Sequence, residues 1–190
     1  MSKAYFFEET YTGTDFNVEE FETGDYENSR FINCQFPKLD LSECSFIECE
    51  FEGCDFSMAK LYGTSLRDTD FNECKMVGLQ FDTCSDFAFS PTFESCNLDL
   101  SSFFGVKLNN GVFKDCSLQE VDFTQAELKE TLFENCDLAK ATFSATHLQK
   151  ADLSTSFHFS IDPELNNIEK AKFSLQSLPG LLDKYGIVVD

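Results

Sequence analysis

Nine cysteines, two histidines and 34 acidic residues are the side chains of this 190-residue sequence that could do chemistry. Thiolates could hold a metal or attack a substrate. Paired carboxylates could share acid and base roles. The spacing argues against each. No C-x₂-C pair is present, so zinc ligands have no converging set. His147 and His158 lie towards the C-terminal end, and no serine or cysteine is visibly paired with either as a base. The carboxylates spread over what reads as a solvated surface without a cleft. The expectation is a protein that is not an enzyme, with no catalytic residues, no metal and no cofactor.

The same counts bound the partners. Asp plus Glu outnumber Lys plus Arg by 34 to 14, a formal charge of −20. Phosphate binding needs cations, so nucleic acid is not an expected ligand. An anionic membrane surface is disfavoured on the same ground. No apolar stretch approaches the ~18 residues of a spanning helix. The N-terminus, MSKAYFFEETY, has no basic stretch followed by an apolar run. With an odd number of cysteines, this predicts reduced thiols and a cytoplasmic chain.

What places these residues is a repeat. Every fifth residue from Phe6 to Phe81 is large and apolar, and so is every fifth residue from Phe93 to Leu153. Neither a helix of period 3.6 nor an ordinary strand of period 2 gives this pattern. We call each such residue a centre. Two residues before the centres runs a second, mostly small column, which holds Cys34, Cys44, Cys49, Cys54, Cys74, Cys96, Cys116 and Cys136. Each repeat thus offers one large and one small residue to an interior and three to water. Cysteine in such a column acts as a small hydrophobe.

At a spacing of 20, Cys34, Cys54 and Cys74 align, as do Tyr11, Phe31, Phe51 and Phe71. Both ladders continue, through Cys96, Cys116 and Cys136 and through Phe93, Phe113 and Phe133, if two residues are inserted near Ser85–Pro91. The segment therefore reads as a two-residue register slip. Asp86, Phe87 and Phe89 lie in it, either as a tolerated bulge with a Phe facing inward or as a binding loop.

Triplets such as Cys54-Asp55-Phe56, Ala126-Glu127-Leu128, Cys136-Asp137-Leu138 and Ala151-Asp152-Leu153 resemble the pentapeptide-repeat family. The resemblance implies an all-β fold, a right-handed quadrilateral parallel β-helix with four repeats per coil. At ~4.8 Å per coil, about 7.5 coils make a rod ~36 Å long. Residues 1–155 form this β-helix, and 156–190 a C-terminal cap and dimerisation segment. There Ser177 can N-cap a short helix, with Pro179 in its first turn and Gly186 as its stop. Leu178, Leu181, Leu182 and Tyr185 share one face of it, followed by Ile187 and Val188. These six form the expected interface of a two-fold homodimer; a cap on a monomer is the alternative.

The closing segments Ile161–Asn166 and Leu181–Val189 resemble those of Qnr-type quinolone-resistance and McbG-type microcin-immunity proteins. This implies a homodimer that imitates duplex DNA, engages DNA gyrase or topoisomerase IV and relieves poisoning by a drug or toxin. Qnr-type proteins carry projecting loops, whereas here only 85–91 interrupts the rod. Sorted by side, the most acidic face carries Glu50, Glu52, Asp70, Glu73, Glu94 and Asp115. These six, with Asp86, Phe87 and Phe89, are the expected partner contacts. A protein-binding scaffold with an unrelated partner is the other reading.

Overall fold

The computed structural model describes residues 3–188. Short parallel strands stack into two sheets. Strands β1 (Ala4–Phe7), β3 (Gly24–Glu27), β5 (Ser45–Ile47) and β7 (Ser65–Arg67) form the first. The second runs through β2 (Thr10–Thr12), β4 (Arg30–Ile32), β6 (Glu50–Glu52), β8 (Thr69–Asn72), β9 (Pro91–Glu94), β10 (Val112–Lys114) and β11 (Leu132–Glu134). Single bridges on the remaining sides, such as Gln35–Asp55 and Ser102–Asp122, complete a four-sided coil. The chain is a parallel β-solenoid.

The ladder explains the period. Pairing is offset by 20 residues within each sheet, as in Phe31 with Phe51 and Phe113 with Phe133. Between β8 and β9 the offset is 22: Asp70 pairs with Thr92 and Phe71 with Phe93. The slip at 85–91 falls on the side of the first sheet, whose ladder stops at β7 and resumes with Lys107 and Glu127, while the other three sides pair across it at the offset of 22. The wall at this step is held by Ser90, whose N–H donates to the Leu66 carbonyl at 3.0 Å. Its hydroxyl meets the Asp68 carboxylate at 2.9 Å.

Centres pack into continuous stacks. Phe31, Phe51, Phe71, Phe93, Phe113 and Phe133 lie ring over ring, with centroids 4.7 to 5.5 Å apart. Rings of adjacent faces meet edge-on, as Phe81 and Phe93 do at 5.6 Å. Both are favoured aromatic geometries. The small column has a second duty besides fitting beside these rings. The Cys74 thiol donates to the Phe51 carbonyl at 3.4 Å. The Thr64 and Thr131 hydroxyls donate to the Leu41 and Leu108 carbonyls. Cys, Ser and Thr recur there because they are small and carry one donor for a buried carbonyl. Contact with the Cys54 and Cys96 thiols, together with burial, pushes Cys74 up, and burial raises Cys49 to about 11. Burial keeps Cys49 and Cys74 protonated and inert.

At the corners the residue two after the centre takes a left-handed conformation. Pro37 and Lys38 (φ 61°) form a type II-like turn closed by Leu39 N–H on the Phe36 carbonyl at 3.0 Å. Left-handed backbone costs about 1–2 kcal/mol for a non-glycine residue. It is offset because the left-handed residue's own N–H donates to the next coil, Lys38 to the Ser57 carbonyl and Met58 to the Val77 carbonyl.

The ladder runs past residue 155. His147 pairs with Asn167 and Asp152 with Lys172, and Ile168 and Phe173 return to centre positions against the core. The short C-terminal helix is present as two 3₁₀ turns, Leu178–Leu181 and Asp183–Tyr185, and not as one α-helix. Ser177 makes no side-chain cap; its hydroxyl is occupied by Ser174. Gly186 does end the segment in the left-handed conformation (φ 59°).

Phe71 and Phe113 are 3% and 0% exposed inside their stack. An aspartate at either place buries an unpaired charge. Phe71→Asp or Phe113→Asp should lower unfolding free energy by at least about 4 kcal/mol in urea titration, and Phe113→Ala by about 3–5 kcal/mol. All nine cysteines are free, and only Cys84 is not fully buried. A thiol reagent at mildly alkaline pH should modify at most Cys84 in the native protein and all nine after unfolding. Rapid reaction of several native thiols would contradict this packing.

Candidate functional site: an acidic interaction face

The second sheet carries the six expected carboxylates, all exposed. Its geometry follows from strand alternation: the residues on either side of each buried centre point to water. Glu50, Asp70 and Thr92 therefore stack in one column beside the centres Phe51, Phe71 and Phe93, and Glu52, Asn72 and Glu94 in the other. Together with Arg30 they line a shallow groove. Glu73 and Asp115 project from the corner at the left-handed position (φ 52° each).

The structure also shows how much of that charge is already engaged. Arg30 Nε lies 2.8 Å from Glu50, and Lys114 Nζ 2.7 Å from Glu94. The Thr92 hydroxyl donates to Asp70, and Asn135 donates to Asp115 at 2.7 Å. Among the described residues, Glu52 and Glu73 have no ion-pair partner. This pairing across one coil is general. Lys60 with Asp40, Lys75 with Asp55, Lys140 with Glu120, Lys150 with Glu130 and Lys172 with Asp152 all join residues 20 apart. Most of the basic residues are thus spent against carboxylates of a neighbouring coil, while Lys129 and Lys170 pair with the adjacent Glu130 and Glu169, and among the described residues Lys38 and Arg67 have no ion-pair partner.

In the register slip, the three expected contacts separate. Phe87 is 74% exposed and Asp86 is exposed. Phe89 turns inward, packing against the core with its ring edge-on to Phe81 at 6.4 Å. A cavity of about 100 Å³ lies beneath the bulge, walled by Phe81, Phe89, Phe104 and Val106.

The C-terminal end is apolar, but unevenly. Leu178, Tyr185, Ile187 and Val188 are exposed, whereas Leu182 is half-buried and Leu181 packs on the core. Two residues outside the sequence-derived set join the exposed group: Leu165, 60% exposed, and Leu175, 81%. The end is clipped to the last coil by Lys184, 2.7 Å from Asp162 and 2.6 Å from Glu164. That ammonium holds both carboxyls below their ordinary range.

His158 Nδ1 lies 2.9 Å from Asp137, with Phe157 edge-on to the imidazole. Among the described residues, no group of three or more His, Cys, Asp or Glu is placed to hold a metal ion. Among the same residues, no helix is long and apolar enough to cross a membrane.

A family profile described as pentapeptide repeat region matches residues 20–86 and 86–157. Comparison with curated protein sequences finds no match. Among solved structures, the chain is similar to a trypsin-treated variant of QnrB1, a plasmid-mediated fluoroquinolone resistance protein. That match has 20% identity over 100% of both chains and a TM-score of 0.64. It is also similar to HetL, a protein involved in heterocyst differentiation regulation in the cyanobacterium Nostoc sp. strain PCC 7120. Here identity is 16% over 92% of this chain and 86% of that one, with a TM-score of 0.70. At these identities the structures establish a shared fold, and with the profile spanning most of the sequence, the chain belongs to the pentapeptide-repeat family.

Proposed function

We propose that this protein is a DNA-mimicking binder of DNA gyrase or topoisomerase IV that protects the enzyme from a poison, either a quinolone or a peptide toxin. The supporting observation is the distribution of charge on a straight, regularly ruled rod. Carboxylates recur along its walls at the ladder repeat of ~4.8 Å, while most of its few cations are absorbed by a carboxylate one coil away. Duplex DNA presents one negative charge per ~1.7 Å of axis, and a surface that binds DNA is built to receive such an array. Glu52 and Glu73, whose carboxylates have neither an ion pair nor a side-chain hydrogen bond among the described residues, would be the strongest contacts. The working unit is a cytoplasmic homodimer joined through Leu178, Tyr185, Ile187 and Val188, which doubles the length of the acidic rod. The role in binding is steric and electrostatic, and no chemical step is required of the chain.

A second reading is a scaffold for a different protein partner. It is favoured by the engagement of Glu50, Asp70, Glu94 and Asp115 within the face itself, which reduces the free charge available to imitate phosphate. The structural likeness to HetL, a protein of a different role, shows that the fold does not fix the partner.

The two readings differ in a supercoiling assay. With purified gyrase, the protein should inhibit or rescue supercoiling in the presence of a fluoroquinolone, with an effect that weakens as salt rises. Glu52→Gln combined with Glu73→Gln should reduce it severalfold without loss of stability. No effect on gyrase or topoisomerase IV by a folded dimer would transfer the assignment to the scaffold.

A further inference from the structure

The solenoid is closed at its C-terminal end by the 3₁₀ turns. At the other end, among the described residues, nothing pairs with the outer side of β1. The ladder rule says what is left open there. The residue before a centre donates to the coil before, as Arg30 does to Glu9 and Asp70 to Cys49, and the residue after a centre accepts from it, as Ile32 does from Gly13 and Glu27 from Glu8. In β1 the centre is Phe6, and Asp25 and Glu27 of β3 pair opposite Tyr5 and Phe7. The N–H and C=O groups of Tyr5 and Phe7 consequently point away from the molecule, in the alternation a further parallel strand needs.

The side chains around this edge select what such a strand would carry. Phe6 is only half-buried, so its ring lacks the covering that Tyr26 gives it from the other side at 4.5 Å. Tyr5 and Phe7 are 61% and 46% exposed, and their rings lie nearly parallel, 6.5 Å apart. The Tyr5 hydroxyl donates to Glu27 at 2.8 Å, which fixes its ring. Glu8 and Glu9 follow directly, and Glu20 and Glu22 stand on the adjoining side of the first coil, all exposed. The one cation at this end, Lys3, is bound to Asp25 at 2.6 Å. Residues 1–60 hold fourteen carboxylates against four basic residues. A strand laid on β1 would set its own centre on Phe6 and its flanking side chains on the Tyr5 and Phe7 rings. Guanidinium groups suit those faces and the carboxylates beside them, whereas acidic flanks would be repelled.

We propose that the open edge of β1 is a docking site for an extended, arginine-bearing segment of a partner protein, added in parallel as the strand before β1. Its pattern is arginine, apolar residue, arginine. The recognition is strand addition, with main-chain bonds giving affinity and the rings and carboxylates giving selectivity. It is independent of the topoisomerase reading, because it uses the tip of the rod and not its walls.

The test is NMR titration of the full chain with the peptide Gly-Arg-Val-Arg-Gly at low ionic strength. Saturable shifts and slowed amide exchange should appear at Tyr5 and Phe7, with interior amides such as Asp70 unmoved. The peptide with glutamates in place of arginines should bind roughly tenfold more weakly or not at all. Phe7→Pro removes an outward N–H that bonds nothing among the described residues and should abolish binding. Tyr5→Ser with Phe7→Ser keeps the edge, removes the rings and should weaken binding severalfold, which carries the test if the proline variant misfolds. Equal binding of the acidic peptide, shifts elsewhere on the rod, or no binding would overturn the proposal. So would concentration-dependent pairing of two copies through β1 that excludes the peptide.

Discussion

The interaction on which everything else depends is the backbone ladder between coils, which sets each strand residue opposite the one 20 places away through bonds to that residue's neighbours, as Asp70 to Cys49. It converts a five-residue sequence period into four walls, because only a whole number of repeats per coil brings centre over centre. Once the offset is fixed, every large residue falls on another large residue, and every small donor falls beneath a buried carbonyl. The stacks and the thiol column are consequences of that register. So is the tolerance for two extra residues at 85–91, since an insertion confined to one side lets the other three pair across it at 22 and return to 20 beyond it. Stability is distributed over the stacked coils, each touching only its neighbours.

The register also governs the surface. Two residues per repeat flank the centre and point outward, so charges line up in columns, and a cation in one coil stands opposite a carboxylate in the next. Arg30 with Glu50 and Lys150 with Glu130 follow this rule. Exposed pairs of this kind contribute little to stability, about 0–1 kcal/mol each. Their consequence is to consume most of the cations and leave the surplus acids unneutralised. The excess is steepest towards the N-terminal tip: residues 131–190 hold eight carboxylates to five basic residues, against fourteen to four over 1–60. A dimer joined at its C-terminal ends would carry its densest charge at its two extremities.

Much of this was legible in the sequence, because the repeat writes the interior directly. Phe31 to Phe133 and Cys34 to Cys136 could be placed on their faces by counting, and the two-residue slip followed from requiring both ladders to continue. The last coil was harder to see. His158 and Pro163 fall where centres should be, and the period resumes only at Ile168 and Phe173. The chain bridges that gap by burying Phe159 and Ile161, 4% and 1% exposed. The left-handed corners carry no glycine signature, because the ladder holds Lys38, Met58 and Glu120 in that conformation as readily as Gly53. The C-terminal i, i+3, i+4 pattern read as an α-helix, but three-residue turns docked on the coil satisfy the same spacing. The candidate face was found by charge alone. Its internal pairing, Thr92 to Asp70 and Asn135 to Asp115, depends on cross-coil neighbours that a composition count does not register.

The most direct measurement of the central claim is a set of through-space proton contacts in the NMR spectrum of the labelled chain. The account predicts ring-to-ring contacts from Phe51 to Phe71 and from Phe93 to Phe113, 20 residues apart, and from Phe71 to Phe93, 22 apart. It also predicts backbone contacts joining Asp70 to Thr92. Loss of contact across 85–91, or pairing of Phe71 with residues 20 places on, would contradict a single continuous ladder and with it the placement of every surface described above.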